Sequence, residues 1–239
     1  MGRYSAQLAP QLANLGGVRA GQRVLDVGCG PGALTAECVM RVGPDGVSAV
    51  DPSESFVRAA RERHPGVDVR VASAERLPFP DDSVDAALAQ LVVHFMADPV
   101  VGLAEMGRVT RSRGVVAACV WDHAGERAPL AAFWRAARDL DAKVVDESRL
   151  AGTRAGHLAE LMDAAGLSDV EETEFSATVD YATVDDWWEP FTLGVGPAGV
   201  YAQSLPDPQR AALRQRCEEL LPPAPFTLTT FAWAARSRA

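Results

Sequence analysis

The chain has 239 residues, of which 48% are hydrophobic and 23% are charged, and its formal net charge is −9. This size and composition predict a globular protein with one sizeable core. The acidic balance argues against nucleic acid as a partner, because polyanions bind basic surfaces. No apolar run reaches the ~18 residues of a membrane span, and nothing near the start resembles a signal peptide. We therefore expect a cytoplasmic protein, and no metal, because the four cysteines lack the paired spacing of zinc ligands.

Up to residue 121, short apolar strands alternate with amphipathic helices. This alternation is typical of a parallel sheet that is covered by helices on both faces. Strands are predicted at residues 23–27, 47–51, 67–71, 84–90 and 115–121, and helices near residues 34–41, 53–64 and 99–109. The segment therefore predicts the core of a doubly wound α/β fold.

The pattern changes after residue 121. Helices are predicted at residues 129–140, 156–165 and 207–221, and strands at residues 170–179 and 226–235. The segment between residues 181 and 205 combines large aromatic side chains with glycines. Such an insertion before a last strand is a candidate lid over a substrate.

The stretch "VLDVGCGPGALT", residues 24–35, has glycines at every second position. Gly28, Gly30 and Ala33 fit the dinucleotide fingerprint, in which a pyrophosphate lies at the start of a helix. However, Asp26 lies two residues before Gly28, and a carboxylate there would repel phosphate. It suits a ligand with cationic groups and no phosphate, such as S-adenosylmethionine, which carries an ammonium and a sulfonium.

Four motifs in order resemble those of class I S-adenosylmethionine-dependent methyltransferases, in the type-11 branch that includes ubiquinone-pathway C-methyltransferase relatives. The motifs are "VLDVGCGPG", "VSAVDPSE", "ASAERLPFPDDSVDAALAQLVVHF" and "EMGRVTRSRGVVAACVW". The resemblance covers about residues 3–121 with specific motifs and only the order of elements thereafter. Relatives typically carry Pro-Gly-Gly where this chain has residues 111–114, which are expected to form a turn at the sheet edge opposite the ligand.

The resemblance implies a Rossmann-like, doubly wound α/β fold with a seven-stranded, mostly parallel sheet, an antiparallel last strand and a small helical and aromatic lid. It also implies S-adenosyl-L-methionine as the cofactor, S-adenosyl-L-homocysteine as the product and a small-molecule acceptor. One methyltransferase domain is expected over residues 1–239. Its parts are a helix that covers the cofactor (1–22), the cofactor-binding core (23–121), helices and a sixth strand (122–181), the substrate lid (182–223) and the last strand (224–239).

The resemblance places the cofactor against residues from several motif regions. They are Tyr4, Asp26, Gly28, Cys29, Gly30, Asp51, Pro52, Ser53, Ser73, Ala74, Glu75, Gln90 and Leu91. Gln90 is expected to offer its side-chain carbonyl to the methionine ammonium. Relatives often carry Asp where Ser73 stands, so recognition of the adenine amino group is expected to shift to Glu75. The alternative is that Glu75 only caps a short turn.

Asp51 lies 23 residues after Gly28, at the end of the second predicted strand. A carboxylate at this position can accept hydrogen bonds from both ribose hydroxyls of an adenosyl cofactor. The alternative is that it only forms an Asx turn before Pro52.

Two histidines are candidate catalytic bases. His94 follows the fourth predicted strand and His123 follows the fifth, at the strand ends where open α/β sheets bind ligands. An imidazole there can titrate near neutrality and take a proton from the acceptor. The alternatives are that His94 only walls the pocket and that His123 is a solvated loop residue.

Aromatic side chains are candidates for acceptor binding, because large apolar rings can cover a planar or greasy molecule. Together with His94, the expected acceptor residues are Trp121, Trp187, Trp188 and Phe191. The alternative is that the rings of the insertion only attach it to the core.

Two other functions fit parts of the pattern. A nicotinamide-dependent oxidoreductase fits the glycine spacing, but Asp26 argues against it. A methyltransferase-fold protein that binds the cofactor without transferring a methyl group fits the same motifs. Methyl transfer to a small molecule is the favoured interpretation; the acceptor, the methylated atom and the oligomeric state do not follow from these motifs.

Overall fold

The computed structural model describes residues 2–239, so the predicted ranges that begin at Met1 include one residue outside the described part. In residues 2–239, one seven-stranded sheet has the strand order β3-β2-β1-β4-β5-β7-β6. The strands are β1 Val24–Val27, β2 Val47–Asp51, β3 Asp68–Val71, β4 Val84–Gln90, β5 Thr110–Trp121, β6 Ser168–Tyr181 and β7 Phe226–Arg238. The first five pair in parallel, and β7 pairs antiparallel with both β5 and β6. The predicted fold class is confirmed.

Helices cover both faces of this sheet. They are α1 Gly2–Leu15, α2 Ala33–Val42, α3 Glu54–Arg63, α4 Pro99–Val109, α5 Ala131–Leu140, α6 His157–Ala164, α7 Val184–Thr192, α8 Gly196–Ser204 and α9 Asp207–Leu220. One buried apolar cluster joins a sheet face to α1, α2, α5, α7 and α9, and a second joins the opposite face to α4 and α6. Alternate strand residues therefore enter different clusters, as expected for a sheet that is buried on both sides.

The helix starts follow local capping chemistry. The Ser53 side chain accepts a hydrogen bond from the Phe56 N–H and so caps the start of α3. Asp98 caps α4 by accepting from the N–H groups of Val100 and Val101. These caps fix where α3 and α4 begin, and both helices begin at the carboxyl end of the sheet, near the loops that follow β2 and β4.

The N-terminal helix α1 is tied to β6 and to the end of β4. Gln7 exchanges two hydrogen bonds with the Thr178 backbone, at 2.7 and 3.0 Å. The Gln90 amide donates to the Ser5 carbonyl at 3.1 Å. These contacts hold the start of α1 beside the carboxyl end of β4.

Two segments differ from the sequence predictions. Residues 111–114 were expected to form a turn, but they belong to β5, which pairs irregularly with β4 there and has Arg113 at φ 64°. The strand starts early because the Arg113 N–H is paired with the carbonyl of Ala239, beyond the end of β7. The insertion at residues 182–223 contains two helices, α7 and α8, beyond the predicted one.

None of the helices in residues 2–239 combines the length and the apolar character that crossing a membrane requires.

Candidate functional site

The glycine loop crosses from β1 over the end of β2. The N–H groups of Gly28 and Cys29 both donate to the Val50 carbonyl, at 2.8 and 2.9 Å. Gly28 has φ +71°, and a Cβ there would lie 2.6 Å from Val92 Cγ1, so this glycine is required by packing. Gly30 has φ +53°, and a Cβ there would meet no atom within 4 Å. The loop is therefore packed at Gly28 and open at Gly30, where a ligand can approach the backbone closely.

Asp51 is fixed against this loop. It is 6% exposed, its Oδ2 accepts from the Gly30 N–H at 2.9 Å, and its Oδ1 accepts from the Ser53 N–H at 2.9 Å. The bond from the Ser53 N–H forms the Asx turn that was the alternative role of Asp51 in the sequence interpretation. Pro52, which lies between Asp51 and Ser53, is exposed. The Asx turn and the link to the glycine loop thus exist together, and each carboxylate oxygen keeps a lone pair for a further donor.

Asp26 lies buried beneath the loop. Its Oδ2 accepts from the Thr35 hydroxyl at 2.7 Å, and the residue is 1% exposed. Burial, with a smaller contribution from the nearby Asp51, raises the pKa of Asp26 to about 7. A positive charge placed nearby would favour the ionised form. Thr35, which the sequence interpretation missed, is part of this arrangement.

The loop after β3 lies beside the same strand end, because the Ala72 N–H donates to the Asp51 carbonyl at 3.2 Å. Glu75 Oε1 accepts from the Ala97 N–H at 2.8 Å, which ties this loop to the start of α4. Partial burial acts to raise the pKa of Glu75, but hydrogen bonds from its own backbone, from Ser73 and from residues 97 and 98 outweigh it and lower the pKa. Glu75 therefore joins two loops, and its role toward adenine, like that of Ser73 and Ala74, stays a prediction.

The end of β4 carries a polar group without a partner. Gln90 Oε1 is buried and has no hydrogen-bond partner in residues 2–239, although the amide nitrogen of the same side chain is paired with α1. The next residue, Leu91, has φ +61°, a conformation that costs a non-glycine residue about 1–2 kcal/mol. Its N–H donates to the Cys119 carbonyl at 2.8 Å, which holds the turn in place. Strained residues of this kind cluster at functional sites.

Tyr4 lies in α1 and is buried. Its hydroxyl hydrogen-bonds to the Tyr181 hydroxyl at 2.9 Å, and its ring meets Trp121 edge-on at 5.9 Å between centroids. Burial raises the pKa of Tyr4, so the phenol stays neutral. These contacts attach α1 to β5 and β6, and a contact of Tyr4 with the cofactor stays a prediction.

The two candidate bases come together at the ends of β4 and β5. Their ring centroids are 5.9 Å apart, and His94 and His123 are only 7% and 6% exposed. Burial lowers the pKa of His94 to about 3 and that of His123 to about 4. The expectation that they titrate near neutrality is therefore wrong, and so is the alternative of a solvated His123. Both rings are neutral at pH 7 and offer nitrogen lone pairs.

The aromatic residues of the insertion pack on a buried ring of α5. Phe133 of α5 lies 4.7 Å from Phe191 and 6.1 Å from Trp188 between ring centroids. Trp187 lies 4.9 Å from Phe191, and all four residues are buried. This packing matches the alternative in which they attach α7 to the core, and their contact with an acceptor stays a prediction.

A third polar residue near the histidines was missed. Glu147 lies in the short 3-10 turn Glu147–Arg149, is 3% exposed, and its Oε2 accepts from Trp134 Nε1 at 2.8 Å. Each of His94, His123 and Glu147 has a ligand atom, and these atoms all lie within 4.8 Å of one another. No sequence spacing signals this group, because its members lie on three separate connections.

Comparison with known proteins agrees with these features. Residues 25–118 match the family model described as a methyltransferase domain. The ubiquinone/menaquinone biosynthesis C-methyltransferase UbiE of Cupriavidus metallidurans is 33% identical over 181 residues, which cover 68% of this chain and 74% of that protein. The chain spans only 27% to 47% of the length of four other curated relatives that it matches.

Two solved structures share the fold. The YcgJ protein from Bacillus subtilis superposes with a TM-score of 0.64 at 19% identity, covering 96% of this chain and 97% of that chain. The [4+2]-cyclase SpnF superposes with a TM-score of 0.59 at 20% identity, covering 98% of this chain and 81% of that chain. Taken with the glycine loop, Asp51 and the UbiE match, this fold shows that the chain belongs to the type-11 branch of the class I methyltransferases, whose cofactor is S-adenosyl-L-methionine.

Proposed function

We propose that this chain transfers the methyl group of S-adenosylmethionine to a small-molecule acceptor that binds at the carboxyl ends of β4 and β5. The observation that carries the proposal is the distribution of unsatisfied polar atoms. Seven buried side-chain nitrogen or oxygen atoms in residues 2–239 have no hydrogen-bond partner, and five of them belong to Gln90, His94, Trp121 and His123. Buried polar groups are normally paired, so a cluster of unpaired ones marks a place where ligands supply the partners.

The cofactor fits the residues that are present. Gln90 Oε1 is an acceptor for an ammonium group, Asp26 favours a cationic ligand, and the open space at Gly30 admits a ligand against the backbone. When bound, S-adenosylmethionine supplies a methyl group on a positively charged sulfur. The contribution of the chain is to orient both molecules and to exclude water, which supply much of the acceleration of a two-reactant step.

The acceptor side of the site is apolar with a few polar atoms. Trp121 presents an unpaired Nε1, and His94 and His123 present neutral ring nitrogens. Such a lining suits a flat molecule with one or two hydroxyl groups. The UbiE relative is named for ubiquinone and menaquinone biosynthesis, so ring-hydroxylated quinols are the first acceptors to test. In this proposal the insertion at residues 182–223 borders the acceptor from the side of Trp187 and Trp188.

The alternative is a protein that binds the cofactor and performs other chemistry. The SpnF structure, titled a [4+2]-cyclase, shares this fold. Methyl transfer is favoured because the matched family model is a methyltransferase domain and the UbiE relative is named a methyltransferase.

The test is an assay with S-adenosylmethionine that carries an isotopically labelled methyl group. The protein is incubated with a panel of quinols, phenols and thiols, and mass spectrometry follows both S-adenosylhomocysteine and the acceptor. The proposal expects equal amounts of S-adenosylhomocysteine and labelled acceptor. Both products should fall in Asp51→Ala when the cofactor concentration is below its dissociation constant. An acceptor that is converted without gaining the label, while the cofactor stays intact, would establish the alternative.

A further inference from the structure

His94, His123 and Glu147 form a buried group in which two imidazoles face one carboxylate. They come from the Val93–Phe95 turn after β4, from the loop after β5, and from the Glu147–Arg149 turn between α5 and α6. Their ligand atoms all lie within 4.8 Å of one another, and the three residues are 7%, 6% and 3% exposed. In a tetrahedral zinc site with bonds of ~2.0–2.2 Å, the donor atoms lie about 3.3–3.6 Å apart. Side chains whose ligand atoms lie within 4.8 Å of one another reach this geometry when they close in around the ion.

The imidazole nitrogens are unsatisfied. His94 Nδ1 and both ring nitrogens of His123 are buried without a hydrogen-bond partner in the described residues. Buried polar atoms are normally paired, so three unpaired ones at one point favour a bound ligand. Nitrogen lone pairs that converge with a carboxylate are the donor set of borderline divalent cations.

The carboxylate is held in position by its neighbours. Glu147 Oε2 accepts from Trp134 Nε1 at 2.8 Å. The turn that carries Glu147 is capped by Asp146, which accepts from the Ser148 N–H at 3.0 Å and forms an ion pair with Arg138. Hydrogen bonds of this kind to a ligating carboxylate orient it toward a metal.

We propose that His94, His123 and Glu147 bind one zinc-type divalent cation at the acceptor side of the site. Three protein ligands leave a fourth position open, which is the arrangement of catalytic rather than structural zinc sites. The sequence interpretation expected no metal from the spacing of the cysteines. It did not consider these three ligands, which are separated by 28 and 23 intervening residues and carry no motif.

The open position takes a hydroxyl or thiol of the acceptor, a step that rests on the proposed function. The cation lowers the pKa of a bound hydroxyl or thiol, so the group releases its proton to bulk water and keeps the electron pair on its oxygen or sulfur.

The experiment measures metal binding without cofactor or acceptor. The full chain is treated with chelator, dialysed and titrated with Zn²⁺ by calorimetry and with Co²⁺ by visible absorption. We expect one equivalent of either ion and a Co²⁺ spectrum of low coordination number. His94→Ala, His123→Ala and Glu147→Gln are each expected to weaken binding at least a hundredfold. The control His64→Gln changes a histidine that pairs with the Gly32 carbonyl and leaves Zn²⁺ binding unchanged.

A positioning variant separates this site from adventitious binding. Trp134→Phe keeps all three ligands and removes the hydrogen bond to Glu147, so it should weaken Zn²⁺ binding about 10- to 100-fold. Wild-type protein that is folded by circular dichroism and binds no stoichiometric Zn²⁺ would overturn the proposal, even if the variants fail to fold. Equal binding by wild type and all three ligand variants would overturn it as well. If the protein binds one equivalent of Zn²⁺ but transfers no methyl group to any acceptor tested, the proposed function is contradicted and the metal site is still supported.

Discussion

The two halves of the site are built in different ways. The proposed cofactor half, residues 24–75 with Gln90, closes its hydrogen bonds locally except at Gln90 Oε1. The Val50 carbonyl accepts from the loop backbone, and Asp51 joins Gly30 to Ser53. The acceptor half brings residues from separate connections together and leaves their polar atoms unpaired. Where backbone hydrogen bonds fix the loop, the protein alone sets the shape of the ligand site. Where side-chain atoms lack partners, a bound ligand supplies the missing hydrogen bonds or metal bonds.

The substitution with the largest expected effect tests whether stability can be lost in the acceptor half without a loss of cofactor affinity. Phe133→Ala removes a fully buried ring of α5 that packs on Phe191 and Trp188, neither of which belongs to the glycine loop. It should lower the free energy of unfolding by about 3–5 kcal/mol in urea denaturation, while the folded protein keeps its affinity for S-adenosylhomocysteine. The control Phe56→Ala, on the half-exposed Phe56 of α3, should cost under about 1 kcal/mol. Parallel loss of stability and cofactor affinity would show that the halves are coupled.

Within the cofactor half, two glycines separate packing from ligand contact. Gly28→Ala places a Cβ 2.6 Å from Val92 at a positive φ, so it should cost about 2–3 kcal/mol of stability. Gly30→Ala meets open space and should cost only about 1–2 kcal/mol. Thermal unfolding and calorimetry with S-adenosylhomocysteine measure both effects. Gly30→Ala should still lose most of its affinity, and an unchanged affinity would place the cofactor elsewhere.

Asp51→Ala tests the ribose contact directly. The substitution removes both carboxylate oxygens, which bind Gly30 and Ser53 and are the expected acceptors for the ribose hydroxyls. It is expected to weaken binding of S-adenosylhomocysteine at least about tenfold, or about 1.4 kcal/mol. Asp45→Ala, on an exposed residue of the neighbouring turn, is the matched control and should bind like the wild type. Equal affinity in the two variants would remove Asp51 from the cofactor site.

The smallest expected effect is a pH dependence from Asp26. Its folded pKa is raised to about 7 from 3.8, so its neutral form stabilises the fold below about pH 4, and this contribution is lost as pH rises toward 7. A cationic cofactor binds the ionised form better. Its affinity should therefore rise up to about tenfold between pH 5.5 and 7.5 in calorimetric titrations. Asp26→Asn should flatten that rise; a wild type with constant affinity would contradict a role of Asp26 in binding.

The first five strands and the glycine loop could be predicted from the sequence because their signals are local. Apolar runs, the glycine spacing and the capping Ser53 each act over a few residues. On the proposed acceptor side, the sequence predicted the positions of the two histidines but not their environment. His94 and His123 were singled out by their position after strands, but their low pKa values depend on burial that no local pattern reports.

Glu147 and the short helices α7 and α8 were not predicted. Glu147 lies in a polar connection without periodicity, and its burial beside Trp134 of α5 is a tertiary contact that no local pattern reports. Pro190 and the glycines at residues 194, 196 and 199 argue locally against helix, yet two nine-residue helices form there. Packing of Trp188 and Phe191 against Phe133 overrides the weak local preference.

The most direct test of the account is a calorimetric titration of the purified chain with S-adenosylmethionine and, separately, with NADH. The geometry of Gly30, Asp51 and Gln90 predicts one equivalent of S-adenosylmethionine and no binding of NADH. Stoichiometric binding of NADH, or no binding of S-adenosylmethionine by the folded protein, would contradict the account.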